Sequence, residues 1–171
     1  MIVISTPPGG IDVKKMQKTN AMRNLENNKI DYKIHEYPWD EEHLDAKSAA
    51  NEVDIPLEKI YKTLVATGST TGEIVVCIPA GQSLDLKKLA KESGNKKVEM
   101  LHMKDLEKTT GYIRGGCSPV GMKRRFPTYV SSEASSMESI VVSAGKRGMQ
   151  MELAPDELLR ITDGQYADIT V

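Results

Sequence analysis

The sequence predicts an α+β domain in which a mixed, mostly antiparallel β-sheet curls into a pseudo-barrel and short helices flank it. Two observations support this fold class. Short alternating or continuous apolar runs, which are typical of strands, recur along the 171 residues and alternate irregularly with short helical patterns. Two of the runs flank Gly68-Ser-Thr-Thr-Gly72, a segment typical of a hairpin turn between antiparallel strands.

The first residues differ in character from the rest of the chain. Pro7-Pro-Gly-Gly10 interrupts residues 1–17, and no clear helical or strand periodicity is present there. We therefore assign 1–17 to an N-terminal arm and 18–171 to a single domain, which at this length can bury a substantial hydrophobic core.

Three elements are predicted before the hairpin. Thr19 is a candidate N-cap of a helix over 19–27, and residues 31–37 alternate as a half-exposed strand. The acidic stretch 40–54 carries apolar residues at helical spacing, so we predict a second helix there, ended by Pro56.

The hairpin strands are predicted at 60–67 and 73–79, and Cys77 lies inside the second, almost continuously apolar strand as a core residue. A helix follows, with Asp85 as candidate N-cap and Gly94 as its C-terminal stop. The remaining predicted elements are shorter: strands at 98–101, 128–131, 140–143 and 150–153, and helices at 103–109 and 155–161.

Composition argues against several classes of protein. No apolar run is long enough to span a bilayer, and Met1-Ile-Val-Ile4 is too short for the apolar core of a signal peptide, so we expect a cytoplasmic protein that does not contact membranes. Two cysteines cannot build a disulfide framework, and His35, His43 and His102 lack metal-ligand spacing. We expect neither a metal nor another cofactor.

The net charge of −1 conceals an uneven distribution of charge. Residues 86–125 carry eleven lysines or arginines and four acidic residues, whereas residues 36–60 carry eight acidic residues and two lysines. If the basic segment presents one face, it would attract a polyanion such as RNA with a salt-dependent affinity. A set of solvated helix faces is the alternative interpretation.

A glycine-rich segment at 111–121 is the motif that points most directly to a ligand. Gly115 and Gly116 lack the Cβ atom that would hold a ligand away, so their N–H groups can approach a carbonyl or phosphate oxygen, while Pro119 stiffens the loop. Residues 143–148 form a second glycine-containing corner, and basic residues lie beside both. Two tight turns between strands are the alternative interpretation.

Lys62 occupies an unusual position in the first hairpin strand. Alternation places it on the same face as Ile60 and Leu64, where an ammonium group must reach water, pair with an acid or meet a charged ligand. The strand pattern leaves both snorkelling to solvent and ligand binding open.

Several motifs together resemble one protein family. They are Ile60-Tyr-Lys-Thr-Leu64, Leu84-Asp-Leu-Lys-Lys88, Lys97-Val-Glu-Met100, Thr110-Gly-Tyr-Ile-Arg-Gly-Gly-Cys-Ser-Pro-Val-Gly121, Ser143-Ala-Gly-Lys-Arg-Gly148 and Glu152-Leu-Ala154. From about Thr19 to the C-terminus, the chain resembles the YbaK/EbsC family of free-standing aminoacyl-tRNA deacylases, which are relatives of the editing domain of bacterial prolyl-tRNA synthetases.

The resemblance implies a YbaK-like pseudo-barrel, no cofactor, and hydrolysis of Cys-tRNA(Pro), with other Cys-tRNAs as further candidates. It implies aminoacyl-tRNA, in particular tRNA-Pro, as the partner and prolyl-tRNA synthetase as a second candidate partner. Such an enzyme is needed because a synthetase pocket that accepts proline rejects a residue no larger than proline by only about 1 to 3 kcal/mol.

The resemblance also implies roles for individual residues. Lys62 corresponds to the essential lysine of the family, which implies contact with the terminal adenosine of the tRNA or its phosphate. The loop 115–119 corresponds to a Gly-x-x-x-Pro loop around the ester, where N–H groups stabilise developing negative charge. We assign catalysis to Lys62, Gly115 and Gly116, substrate binding to Tyr37, Cys117, Ser118, Pro119, Ser143, Gly145 and Gln150, and tRNA binding to Lys123, Arg124, Lys146 and Arg147.

Gln150 departs from the family pattern, because a bacterial member carries an aspartate at the corresponding position. Glutamine keeps the capacity for hydrogen bonding and loses the charge. A changed substrate preference is therefore a hypothesis for this chain.

No general base stands out in the sequence, and the resemblance implies that none is needed. The thiol of the mischarged cysteine attacks its own ester carbonyl, while the loop and Lys62 hold the ester in place. Three alternatives stay open. They are Cys117 as a nucleophile activated by nearby cations, a preference for Ala-tRNA(Pro), and a regulator that binds tRNA or protein in the same groove without hydrolysis.

Overall fold

The computed structural model describes residues 17–38 and 55–171, together with the backbone of Ile2–Ser5. The helix predicted at 40–54 and His43 lie outside these residues. The described strands are β1 (Ile2–Ser5), β2 (Tyr32–Glu36), β3 (Tyr61–Gly68), β4 (Gly72–Pro79), β5 (Val98–Met100), β6 (Thr128–Ser131), β7 (Ile140–Lys146), β8 (Met149–Leu153) and β9 (Gln165–Ala167). The described α-helices are α1 (Asn20–Asn27), α2 (Leu86–Ser93), α3 (Leu106–Thr110) and α4 (Pro155–Thr162).

The described strands form two mixed sheets. The first sheet has the order β1-β2-β8-β7 and the second has the order β5-β3-β4-β6-β9. Antiparallel pairs predominate, since only β1–β2, β4–β6 and β6–β9 are parallel. Ile60, just before β3, forms an isolated parallel bridge to Val141 of β7. The α+β class is confirmed, whereas the described strands form no closed barrel and the pseudo-barrel stays a prediction.

The sequence did not predict β1 or β9. β1 pairs in parallel with β2, beginning with Ile2 opposite Tyr32, so the predicted arm contributes an edge strand to the first sheet. β9 pairs in parallel with β6 at the edge of the second sheet. The two strands have only four and three residues, which is too short for alternation to be recognised. The division into 1–17 and 18–171 stays a prediction.

The helix boundaries follow the predicted signals. Thr19 Oγ1 accepts a hydrogen bond from the Met22 N–H at 3.1 Å and caps α1. The Asp85 carboxylate accepts from two N–H groups in the first turn of α2, and Gly94 ends this helix with a left-handed φ of 76°. In the part of the chain described, no helix has the length and apolar character needed to cross a membrane.

Strand β3 alternates as predicted, and its two faces contact different parts of the core. Leu64 and Ala66 pack in a cluster with Leu89 of α2, whereas Val65 packs in a cluster with Cys117. Cys77 of the neighbouring β4 is fully buried, as predicted for a core residue. β3 therefore separates the core under α2 from the space beside the glycine-rich segment.

A largely buried carboxylate, whose side chain is 12% exposed, connects the two sheets. Glu152 of β8 accepts hydrogen bonds from His35 Nε2 at 2.8 Å, from Lys59 Nζ at 2.9 Å and from the Ser139 hydroxyl. His35 belongs to β2 and Ser139 precedes β7, while Lys59 precedes β3 in the second sheet. Burial alone would raise the pKa of Glu152, but the three donors and the Lys59 charge hold it at about 2.

Glu152→Gln is expected to destabilise the protein by about 2 kcal/mol near neutral pH, because a neutral amide cannot hold three donors as strongly as a carboxylate. The folded-state pKa lies below the ordinary carboxyl value of 4.5. The stabilisation is therefore complete above that pH and is lost as the pH falls through about 2. Urea unfolding of both proteins across this range measures the difference.

The matched control is Glu138→Gln, which neutralises a nearby exposed acid outside the network and should leave stability nearly unchanged. A stability difference between the native protein and Glu152→Gln that stays constant from neutral pH to pH 2 would contradict the role assigned to the charge.

Candidate functional site

One cavity brings several of the predicted residues together. It has a volume of about 250 Å³ and lies between β3, the glycine-rich segment and the first sheet. β3 contributes its first five residues, and β7 and β8 contribute one polar side chain each. Six residues predicted for catalysis or substrate binding line this central cavity: Tyr37, Lys62, Gly115, Cys117, Ser143 and Gln150.

The polar floor of the central cavity, formed by Ser143 and Gln150, follows from the register of the first sheet. Ser143 of β7 lies opposite Gln150 of β8, and Gln150 lies opposite His35 of β2. Alternation along β8 places Met149 and Met151 in the apolar core on the other face. Gln150 is only 5% exposed, and its Oε1 has no hydrogen-bond partner among the described residues. The floor therefore contains an unused acceptor.

The glycine loop (111–121) turns sharply at Gly115, whose φ of 83° lies in the left-handed region. The Gly116 N–H donates to the Ile113 carbonyl at 3.0 Å and closes this turn. Within the described residues, the Gly115 N–H donates no hydrogen bond. Of the two N–H groups predicted to approach the ester, that of Gly116 is thus engaged inside the loop, and only Gly115 lines the cavity.

The second half of the glycine loop is buried against the protein. Ser118 is fully buried, and its Oγ accepts a hydrogen bond from the Val120 N–H at 3.2 Å. The Tyr112 hydroxyl donates to the Val120 carbonyl at 2.6 Å and holds the two ends of the loop together. Pro119 lines a different cavity. Ser118 and Pro119 shape the loop here, and their predicted substrate contacts stay predictions.

The second corner (143–148) packs against the glycine loop. A bulge interrupts β7 after Ser143, and Gly145 at this bulge has a left-handed φ of 94°. The Ser143 Oγ accepts a hydrogen bond from the Gly145 N–H at 3.2 Å. A Cβ atom on Gly145 would lie 2.8 Å from the Tyr112 ring, and one on Gly116 would crowd the backbone of the corner. Close packing therefore explains these two glycines without a ligand.

Cys117 lines the cavity but is poorly suited to act as a nucleophile. It is 9% exposed, and burial raises the pKa of its thiol to about 11 despite a hydrogen bond with Thr110. The thiolate that attacks an ester is therefore scarce at neutral pH. Neither His35 nor His102 lines the cavity, so no described histidine is placed there to take the proton.

The four residues predicted to bind tRNA line two further cavities. Lys123 and Arg124 line a cavity of about 450 Å³ that is built partly by the second half of the glycine loop. Lys146 and Arg147 line a cavity of about 380 Å³ together with Tyr37. Because Tyr37 also lines the central cavity, this second basic group adjoins it directly.

The apolar wall of the central cavity and one of its cations were not predicted from the sequence. Met100 and Met103 are 43% and 60% exposed, and with Leu101 and Leu106 they form an apolar wall beside β3. Arg114 lines the cavity as well, and its position directly before Gly115 was an available signal. No sequence signal identified the wall, since it depends on how β5 and α3 pack. In the described part of the chain, no group of three potential metal ligands occurs.

Comparison with known families identifies the domain that contains this cavity. The family model of the aminoacyl-tRNA editing domain matches residues 40–161. The chain belongs to the aminoacyl-tRNA editing domain family. The match includes Lys62, the glycine loop and Gln150, so every described residue that lines the central cavity, apart from Tyr37, lies within the matched region.

Two relatives of this editing domain match the chain over nearly all of their own length. EbsC of Enterococcus faecalis (strain ATCC 700802 / V583), described as a Cys-tRNA(Pro)/Cys-tRNA(Cys) deacylase, is 61% identical over 157 residues, which are 92% of this chain and 96% of EbsC. A crystal structure described as a trans-editing enzyme for prolyl-tRNA synthetase has a TM-score of 0.77 at 25% identity, covering 91% of this chain and 99% of its own. The predicted YbaK/EbsC resemblance is confirmed.

A more distant relative shows the fold alone. The hypothetical protein APE2540 superposes with a TM-score of 0.81 at 20% identity, and the superposition covers 90% of this chain and all of that protein.

Gly145→Ala is expected to destabilise the editing domain more than Gly72→Ala. Both glycines have left-handed φ values, 94° and 79°, which cost an alanine about 1 to 2 kcal/mol. Only Gly145 faces an obstacle, the Tyr112 ring, whereas nothing lies within 4 Å of a Cβ atom on Gly72. We expect an additional loss of about 1 to 3 kcal/mol at Gly145 from overpacking. Thermal unfolding of both variants tests this, and equal destabilisation would contradict the close packing of the two loops.

Proposed function

We propose that this chain is a trans-editing aminoacyl-tRNA deacylase that clears Cys-tRNA(Pro), with other Cys-tRNAs as additional substrates. The observation that carries the proposal is that Lys62 and Gly115 line one small cavity inside an editing domain. The activity described for EbsC supports the same reaction class. A cavity of about 250 Å³ is smaller than typical ligand pockets of about 300 to 1,000 Å³ and suits a single aminoacyl group.

In the proposed reaction the substrate supplies its own nucleophile. The sulfur of the cysteinyl thiol attacks the ester carbonyl carbon, and the bond from that carbon to the terminal ribose oxygen breaks. The thiol proton ends on the departing ribose hydroxyl, and the resulting cysteine thiolactone is hydrolysed by water after release. No protein side chain needs to form a covalent bond, which agrees with the raised pKa of Cys117.

The protein accelerates this reaction by positioning and by electrostatic stabilisation. The Gly115 N–H stabilises the negative charge that develops on the carbonyl oxygen. The Lys62 ammonium binds the terminal adenosine or its phosphate and so holds the ester beside the loop. Four of the remaining assigned residues contact the aminoacyl group: Tyr37, Cys117, Ser143 and Gln150. The other four fix the conformation of the glycine loop: Gly116, Ser118, Pro119 and Gly145.

The phosphates of the tRNA contact two groups of cations. Lys123 and Arg124 line the cavity at the second half of the glycine loop, and Lys146 and Arg147 line the cavity that shares Tyr37 with the central one. Binding through these contacts weakens as the salt concentration rises. The trans-editing description of the structural relative supports prolyl-tRNA synthetase as a second partner and the cytoplasm as the place of action.

Lys62→Ala is expected to lower the deacylation of Cys-tRNA(Pro) by about tenfold or more, because a hydrogen bond from a charged group contributes about 1.5 to 3 kcal/mol. Release of labelled cysteine under single-turnover conditions measures the rate, and Lys62→Arg should restore part of it. Lys91→Ala, which removes an exposed lysine of α2, is the matched control and should leave the rate unchanged. A Lys62→Ala protein with full activity per folded molecule would contradict the proposal.

Cys117→Ala is expected to retain most of the deacylation, because the buried thiol of this residue contacts the aminoacyl group but is not the nucleophile of the proposed reaction. The assay uses Cys-tRNA(Pro), Ala-tRNA(Pro) and correctly charged Pro-tRNA(Pro) in parallel, and cysteine should be released fastest. Loss of all activity in this variant would assign the nucleophile to Cys117. Binding of the charged tRNAs by the native protein without release of any amino acid would indicate a regulator.

A further inference from the structure

The side chain of Gln150 carries a hydrogen-bond acceptor for which the described residues provide no donor. Gln150 lines the central cavity and is 5% exposed, and its Oε1 has almost no accessible surface of its own. Its neighbours on the same face of the sheet have partners of their own: the Ser143 hydroxyl accepts from Gly145, and His35 contacts Glu152. A buried carbonyl oxygen without a donor destabilises a protein. A turn of the amide toward the cavity relieves this cost when a ligand there supplies the donor.

The charges around the cavity favour a neutral donor from the ligand over a cationic one. The described lining contains two cationic side chains, Lys62 and Arg114, and no carboxylate. A cysteinyl ester carries two kinds of donor, the α-ammonium group and the thiol S–H. The ammonium group would find no opposite charge in this lining, and burying it there would be costly. The thiol is neutral and avoids this cost.

We propose that Gln150 Oε1 accepts a hydrogen bond from the thiol S–H of the bound cysteinyl group and thereby selects cysteine over residues of similar size. This inference rests on the proposed function and adds a specificity-determining contact to it. A neutral amide suits the role, because a carboxylate at Gln150 would place a second negative charge two residues from Glu152 and would attract the α-ammonium group instead. Gln150 holds the thiol before the reaction and takes no proton from it.

The test compares two tRNA(Pro) analogues whose amino acid is joined to the 3′ end by a stable amide. One carries cysteine, and the other carries 2-aminobutyrate, which replaces the thiol by a methyl group of similar size. The native protein should bind the cysteinyl analogue about three- to tenfold more tightly than the 2-aminobutyryl analogue, because one neutral hydrogen bond contributes a difference of this size. Gln150→Met, which keeps the length of the side chain without the amide, should bind both analogues with the same Kd.

Thr63→Val provides a matched control. Thr63 lines the same cavity, but its hydroxyl already contacts the Cys77 sulfur at 3.8 Å, so no unpartnered acceptor is lost. This variant should keep the preference for the cysteinyl analogue. Gln150→Met should also be at least as stable as the native protein in thermal unfolding, because the change removes a buried unpartnered oxygen. If Gln150→Met does not fold, Gln150→Leu takes its place.

The outcomes separate this inference from the proposed function. A native protein that binds both analogues equally, or a Gln150→Met variant that keeps the preference, would overturn the thiol contact and leave the deacylase proposal intact. If Gln150→Met binds both analogues more weakly than the native protein and by the same factor, the thiol contact is also overturned, because the donor would then be the α-amino group. Failure of the native protein to bind either analogue would overturn both.

Discussion

The arrangement of the two sheets depends on one negative charge that is largely removed from solvent. The Glu152 carboxylate holds His35 of β2, Ser139 before β7 and Lys59 before β3, so it joins groups from both sheets at one point. Charged hydrogen bonds of this kind are short and directional, and they tolerate little displacement of their donors. Gln150 lies two residues before Glu152 on the same face of β8. The strand that fixes the sheets therefore also fixes the floor of the cavity.

The glycine-rich segments contribute rigidity as well as access to a ligand. Gly116 and Gly145 allow the two loops to pack closely, and the Tyr112 hydroxyl ties the glycine loop to its own far end. This packing leaves Gly115 at the cavity with a backbone conformation that is already fixed. A donor that is held in place before the substrate arrives stabilises developing charge without reorganisation. The loop thus uses the Gly116 N–H for its own turn and leaves Gly115 at the cavity.

Local signals in the sequence predicted the features that depend on neighbouring residues. The caps at Thr19 and Asp85, the stop at Gly94 and the alternation around Lys62 all follow from chemistry within a few positions. The edge strands β1 and β9 were missed because pairing with a distant strand, and not an internal pattern, makes them strands.

Features that depend on tertiary contacts could not be predicted. The partners of Glu152 lie 117 and 93 residues away in the sequence, as His35 and Lys59. The unpartnered state of Gln150 depends on the register of three strands, and the engagement of the Gly116 N–H depends on the turn that the loop adopts. For the same reason, the motif pointed to the loop but did not distinguish the N–H group that closes the turn from that of the glycine that lines the cavity.

The burial of both cysteines has a consequence for a protein proposed to release activated cysteine. Burial raises the pKa of Cys77 to about 12 and that of Cys117 to about 11, and the chain contains no other cysteine. Acyl transfer from a thiolactone and mixed-disulfide formation both require an accessible sulfur anion. Neither sulfur of the chain is readily available as an anion at neutral pH, even at Cys117 beside the cavity. Both cysteines are therefore poor acceptors for the acyl group of the proposed thiolactone.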